Sequence, residues 1–353
     1  MKNMKDQDVK KQKNTEIKNK ASLRLNPLSM HVNPELFASA SAEEKQDLVV
    51  LRQGTSLWKD AMRRFRKNKF AMVALVLIII LFLFAFIGPL ISPYTYDQFN
   101  QGEEDQSPNW THPFGTDRFG RDLLVRNMYG ARISLSIGVV AALLTFVIGS
   151  LYGSISGLVG GRTDNIMMRV IDIIYSLPDL LIVILLSATL KEPLEDLLEN
   201  SRIFSGISEL GPAFFSMLIV FALMYWGTMA RIVRGEVLRI KEQEYVLAAR
   251  ALGANSGRII RSHLLPNCIG PIIVTTTLQI PSAIFTESFL SFIGLGISAP
   301  LASLGSMVTD ALQGVYSYPS RVVFPSVIIA LIILAFNTVG DALRDVLDPR
   351  MKK

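Results

Sequence analysis

The chain has 353 residues, 50% of them hydrophobic and only 19% charged, with a positive mean hydropathy. A water-soluble protein of this length seldom carries so much apolar sequence in unbroken blocks, so the composition points to the membrane. The formal charge of +6 does not indicate nucleic acid, because the basic residues flank apolar runs; the one cysteine, Cys268, excludes an intrachain disulfide and a thiolate metal cluster.

In chain order, residues 1–55 are polar with scattered lysines and no clear apolar period, the composition of a disordered leader. No cleavable signal peptide is visible, and the first apolar block follows this leader, so it is expected to be retained as a helix. Residues 56–69 place Leu57, Trp58, Ala61, Met62 and Phe65 on one helical face and Arg63, Arg66 and Lys67 elsewhere. That pattern predicts an amphipathic helix lying in the membrane interface.

A membrane helix needs roughly 20 apolar residues to cross about 30 Å of hydrocarbon. Six segments qualify: Phe70–Ser92, Ile133–Ser156, Val170–Leu190, Pro212–Val233, Ile269–Ile293 and Val323–Ala342. The first is apolar all round and is expected to sit at the periphery, facing lipid on every side. The third carries Asp172, Pro178 and Asp179 and is the weakest on hydropathy. The last five, within residues 133–345, form the expected core.

Orientation follows from arginine and lysine. Arg63, Arg64, Arg66, Lys67 and Lys69 precede the first span, and loop 234–268 holds Arg234, Arg239, Lys241, Arg250, Arg258 and Arg261. Loops 191–211 and 296–322 hold only Lys191, Arg202 and Arg321. Loop 93–132 is richer in arginine than the rule favours, but the balance makes it extracytoplasmic and both termini cytoplasmic, with a tail at 346–353.

Gly149, Gly153, Gly157 and Gly161 recur every four residues along the second span and beyond. Such a stripe lets two helices approach closely, and for Gly149 to Gly157 packing is the expectation. Acids at membrane depth are costly and need a reason. Glu287, Asp179 and Asn337 are candidates for the polar lining of a translocation path; capping or ion pairing is the alternative, and the one expected for Asp172, with an arginine such as Arg169, and for Asp341. In the outer loop, Thr116, Asp117, Gly120, Arg121 and Asp122 are expected to form a local turn with Asp–Arg pairs that leads into the second span.

Loop 234–268 carries the most information. Lys241–Leu252 is predicted helical, with Tyr245, Val246, Ala248, Ala249 and Leu252 at helical spacing and Gly253 as a left-handed stop. Small alanines let a helix sit deep in a groove on a partner. The pattern alone fits a generic amphipathic loop helix equally well; Leu265-Pro266 at the head of the fifth span favours docking.

These residues resemble a known family. Glu244–Ala254, EYVLAARALGA, is similar to the EAA loop of the dipeptide/oligopeptide ABC permeases, C-type subunit. His112–Leu135, HPFGTDRFGRDLLVRNMYGARISL, and Glu287–Gly296, ESFLSFIGLG, resemble two further blocks of the same subunits, so the resemblance runs from about residue 70 to the end. Leu247 stands where the general importer loop has glutamate, His263 where it has isoleucine, and Ala302 and Leu304 where the family often has proline and tryptophan.

The resemblance implies an all-α integral membrane protein of six transmembrane helices, with the permease core of a type I ABC importer in a bacterial cell membrane. It implies a coupling loop formed by Glu244, Tyr245, Ala248, Ala249, Arg250, Gly253, Leu265 and Pro266. It implies a second, homologous permease as heterodimer partner, two cytoplasmic ATPases that bind the ATP and magnesium, and an extracytoplasmic binding protein. Peptides are the expected cargo; nickel or glutathione importers share the motifs. An ion-coupled secondary transporter is the alternative from another class. No catalytic residue, metal site or resident cofactor is expected. A G-x-x-x-x-G-K-[ST] phosphate loop, an H-E-x-x-H pair and a Ser–His arrangement in the spans are all absent from the sequence.

Overall fold

A computed structural model describes residues 57–200, 211–297 and 301–347. The expected leader 1–55 and residues 348–353 of the expected tail lie outside the described residues. Among the described residues there is no strand, only an isolated antiparallel bridge between Thr116 and Asp122.

Helix α1, Leu57–Lys67, is strongly amphipathic, as predicted. Its Phe65 packs with Ala71, Ala74, Val339 and Ala342, while Met62 stays exposed. Asp60 bonds Arg63 and Arg64 one turn on, and the hydrogen bond from Arg63 holds its carboxyl below the ordinary aspartate value. Asn68 then breaks the chain and caps α2, Lys69–Phe86, by accepting from the Ala71 amide. A short α3, Gly88–Ile91, follows.

Helix α2 does not face lipid on every side. Ala71, Ala74, Leu81 and Ala85 are buried, and the clusters they join include Ala131, Leu135, Ile332 and Val339. These spacings put the small residues on one stripe, where van der Waals packing rather than hydrophobic transfer holds helices together in lipid. Another side of α2, with Phe70, Val73 and Ile80, is exposed.

Helix α4, Leu123–Val159, is far longer than the expected second span. Its 37 residues extend about 55 Å, so the helix projects beyond the hydrocarbon. Asp122 caps it through the Val125 amide. The extra turns before Ile133 carry Arg126, Asn127 and Arg132 and so escaped a hydropathy window. Arg132 donates to the carbonyls of Ala85 and Phe86, filling acceptors left free at the end of α2.

The expected third span is broken. Helix α5, Gly161–Ile174, and helix α6, Asp179–Asn200, meet at a bend of 78°. Pro178 lacks an amide hydrogen and disfavours helix at Leu177, which is why an apolar stretch read as one rod is two pieces. Among the described residues five helices are long and apolar enough to span, six if the bent pair counts as one.

Helices α7, Gly211–Met224, and α8, Trp226–Ile240, run together as one span with only Tyr225 between them. After α9, Glu244–Ala251, and α10, Ser256–Ile259, comes a π-turn at Ile260–Leu264 and then α11, Leu265–Phe292. Helices α12, Leu304–Leu312, and α13, Ser320–Leu347, complete the fold. The glycine stripe packs within the subunit. A β-carbon at Gly149 would lie 2.6 Å from Met229 Cβ, and one at Gly157 2.8 Å from Val237 Cγ1, both on α8.

Candidate coupling site

The predicted helix in loop 234–268 is shorter than expected at its start. Lys241 ends α8, and a bend through Gln243 precedes α9, which begins at Glu244. At this junction the Lys241 ammonium reaches back to donate to the Gly157 carbonyl at 3.0 Å and ties the loop to α4. Glu244 occupies the first turn of α9, where a negative charge favours the helix dipole.

The far end of α9 closes as the sequence predicts. Gly253 has a φ of +85°. Its amide donates to Arg250 and the Ala254 amide donates to Ala249, the paired bonds of a Schellman cap. The left-handed glycine is therefore what ends α9 and turns the chain toward α10.

One residue anchors α9 to the body. Val246 is fully buried in a cluster with Val237, Ile240, Ile259, Leu264 and Cys268. The opposite face has no such cover: Tyr245 is 45% exposed, Leu247 49% and Leu252 89%. Ala248 and Arg250 are also exposed, and Ala249 is half-buried. Three large apolar side chains are thus left exposed beside a single buried anchor. Leu247, which departs from the importer pattern, lies on that open face.

Leu265 and Pro266 head α11, and their role is local as well. Pro266 has no amide hydrogen to give to the preceding turn, and its ring crowds the carbonyl there. The chain widens into the π-turn instead, with the Leu265 amide bonding Ile260. The loop thus runs without interruption into the long span α11.

A clamp beneath α9 escaped the sequence reading. Arg234 on α8 forks onto Asp164 on α5, Nε to Oδ1 at 2.5 Å and Nη2 to Oδ2 at 2.6 Å. Ser156 on α4 donates to the same carboxylate. Asp164 is almost buried and holds three helices in register. The partners are seventy positions apart, so no spacing rule could pair them. Asp172 bonds Arg231 at 2.9 Å rather than the expected Arg169. The outer turn forms as expected: Asp117 accepts from the Phe119 and Arg121 amides and from Arg121 Nε at 2.6 Å.

The three candidate lining residues separate. Glu287 is wholly enclosed between α4 and α11, accepting from Ser134 at 2.7 Å, Ser291 at 2.8 Å and Ser288 at 3.3 Å. Hydroxyl donors on all sides satisfy a carboxyl group that would otherwise be very costly at this depth. Its side chain has no exposed surface in this arrangement. Asp179 and Asn337 are exposed, and Asp179 accepts from the Leu180 amide. Among the described residues no group of three or more His, Cys, Asp and Glu side chains could hold a metal ion.

Comparison with known proteins adds to this geometry. Residues 149–353 match the family described as binding-protein-dependent transport system inner membrane component. Residues 56–108 match the N-terminal TM domain of oligopeptide transport permease C. The oligopeptide transport system permease protein OppC of Bacillus subtilis (strain 168) is 46% identical over 92% of this chain and 99% of its own length. The dipeptide transport system permease protein DppC of the same organism is 45% identical over 91% of the chain and 95% of its own length. OppC of Escherichia coli (strain K12) is 38% identical over 84% and 93%. Among solved structures, an inward-facing MetNI methionine ABC transporter matches 63% of this chain and 96% of its own, with a TM-score of 0.45 at 18% identity.

Proposed function

The chain belongs to the family of binding-protein-dependent transport system inner membrane components, and from that membership we infer that it is the C-type permease of an ATP-driven peptide importer. It is a multi-pass membrane protein and not itself an enzyme. ATP is hydrolysed by an ATPase partner, and substrate arrives on a binding protein. The observation that carries the coupling role is the capped helix α9, anchored by Val246 with its apolar face open.

In this reading a second, homologous permease completes the pathway and one ATPase docks under each permease. ATP draws the ATPases together, and each α9 moves with the surface that holds it. The Val246 anchor, the Lys241 tie and the Asp164–Arg234 clamp transmit that displacement to α4, α5, α8 and α11. The cavity then exchanges inward-facing for outward-facing because α9 contacts the two ATPase states differently.

Topology supplies a direct test, with both termini and α9 inside and loop 93–122 outside. Cys268 is the one native thiol and is buried, so a cysteine-free background needs a single change. Cysteines at Glu104 and Tyr316, both exposed, should label with an impermeant maleimide in intact cells. One at Leu252 should label only after lysis. The reverse pattern would overturn the orientation.

Cargo is tested by growth. A strain requiring an amino acid supplied only as a peptide should fail when this gene is deleted and recover when it is restored. Unchanged growth on peptides together with lost nickel or glutathione uptake would reassign the cargo and leave the permease mechanism standing.

A further inference from the structure

On the face bearing loop 93–122, a cavity of about 240 Å³ opens between that loop, the start of α4, and helices α12 and α13. It is lined by four arginines, Arg118, Arg121, Arg126 and Arg321, against three aspartates. Coupling to an ATPase does not explain it, since α9 and the clamp are built from other segments.

The arginines are unevenly matched. Arg121 is spent on Asp117 in a tight pair. Arg126 is only 4% exposed, yet the nearest oxygens of Asp117 and Asp310 are each 3.9 Å away, too far for hydrogen bonds. Its close acceptor is the neutral Tyr96 carbonyl at 3.2 Å. Arg118 donates to the neutral Gln313 at 3.3 Å and lies 4.8 Å from the centre of the Phe119 ring, with no carboxylate paired to it among the described residues.

Arg321 is the most telling. Its side chain is nine-tenths buried and stacks over the Tyr318 ring at 4.0 Å. Nη2 forms an ion pair with Asp105 Oδ1 at 2.7 Å without the alignment of a hydrogen bond, and Nε has no acceptor among the described residues. A guanidinium fork is shaped for two parallel bonds to one carboxylate, and buried donors left without acceptors are costly. The positive charge at this cavity is held in place and under-used.

We propose that this cavity is a binding site for a carboxylate, received by the Arg321 fork with Arg126 and Arg118 beside it. The volume suits a single acidic side chain or the carboxyl end of a short peptide. The chemistry is shared by two sources: an acidic side chain of the docked substrate-binding protein, or the free C-terminus of the cargo. The site rests on the permease reading for its physiological use but not for its existence.

The test uses the full chain purified with the subunits that accompany it. N-acetylglycine, which carries one carboxylate, should raise the unfolding temperature in a saturable way, and N-acetylglycinamide should not. Arg321→Met should weaken the apparent affinity by about tenfold or more, the loss of a charged hydrogen-bonded pair. Arg321→Lys should recover part of it. Arg118→Gln breaks no ion pair and should weaken binding even if Arg321→Met proves unstable.

If a docked side chain is the occupant, N-acetylglycine should compete with the substrate-binding protein and Arg321→Met should weaken docking. If cargo is the occupant, docking should be unchanged, and Arg321→Met should slow import of free-acid peptides more than of amidated ones. No stabilisation by N-acetylglycine, equal stabilisation by its amide, or unchanged affinity in Arg118→Gln would overturn the site, whatever the transport assays show.

Discussion

Gly253→Val is expected to cut peptide uptake by about tenfold or more while the protein stays inserted at normal levels. No atom lies near enough to obstruct a side chain at Gly253. The penalty is conformational: a φ of +85° costs an L-residue roughly 1–2 kcal/mol, and a β-branched one more. Avoiding that conformation means giving up the bonds from Gly253 to Arg250 and from Ala254 to Ala249. Helix α9 then frays at the end that presents Leu252. A difference of this size is a factor of five to thirty or so in the population of the capped helix, and only the capped form offers the rigid surface an ATPase needs.

Gly253→Asn separates this cause from others, because asparagine tolerates the left-handed region and should retain most uptake. Ala249→Trp attacks the same surface by bulk, and its half-buried position leaves no room for an indole against a docked partner. Uptake, co-purification of the ATPases and stimulated hydrolysis are the measurements. Normal uptake in both Gly253→Val and Ala249→Trp would remove α9 from the mechanism.

The second large effect concerns the body of the protein. Gly153→Ala should destabilise the subunit by about 1–3 kcal/mol, and larger side chains should prevent its accumulation. A β-carbon there would strike the Ala230 carbonyl oxygen and lie 3.0 Å from the Arg234 amide nitrogen, both backbone atoms on α8. A backbone cannot rotate aside as a side chain can, so α4 and α8 must separate. That movement also pulls on the Arg234–Asp164 fork, so transport should suffer even in protein that survives.

Gly235→Ala is the control. It lies on the same helix α8 with nothing within 4 Å of its β-carbon position, and alanine is the better helix former. It should be neutral or slightly stabilising. Equal losses in Gly153→Ala and Gly235→Ala, measured by membrane level and thermal unfolding in detergent, would show that close packing of α4 on α8 is not what the stripe provides.

Much of the geometry of α9 was legible because it is local. Helical spacing, the Ala248-Ala249 pair and the glycine stop lie within a dozen residues, and cap geometry depends on neighbours in sequence. The start of α9 lies three residues after Lys241 because Lys241 still caps α8 and the backbone turns extended at Gln243. The outer turn was legible for the same local reason, since Asp117 and Arg121 are one helical turn apart in number and pair directly.

The apolar blocks by themselves determined that the chain is helical and crosses the membrane, because hydrocarbon leaves the backbone no other way to satisfy its polar groups. They also fixed the small-residue stripe and the stop at Gly253. Tertiary structure decided which groups meet across those helices. It turned the expected third span into a bent pair, gave α2 a packed face, and enclosed Glu287 among serines. It also brought Arg234 to Asp164 and gathered four arginines around one cavity. Each of these depends on side chains distant in sequence finding one another, and the energy of a buried charge is set by those partners rather than by its neighbours along the chain.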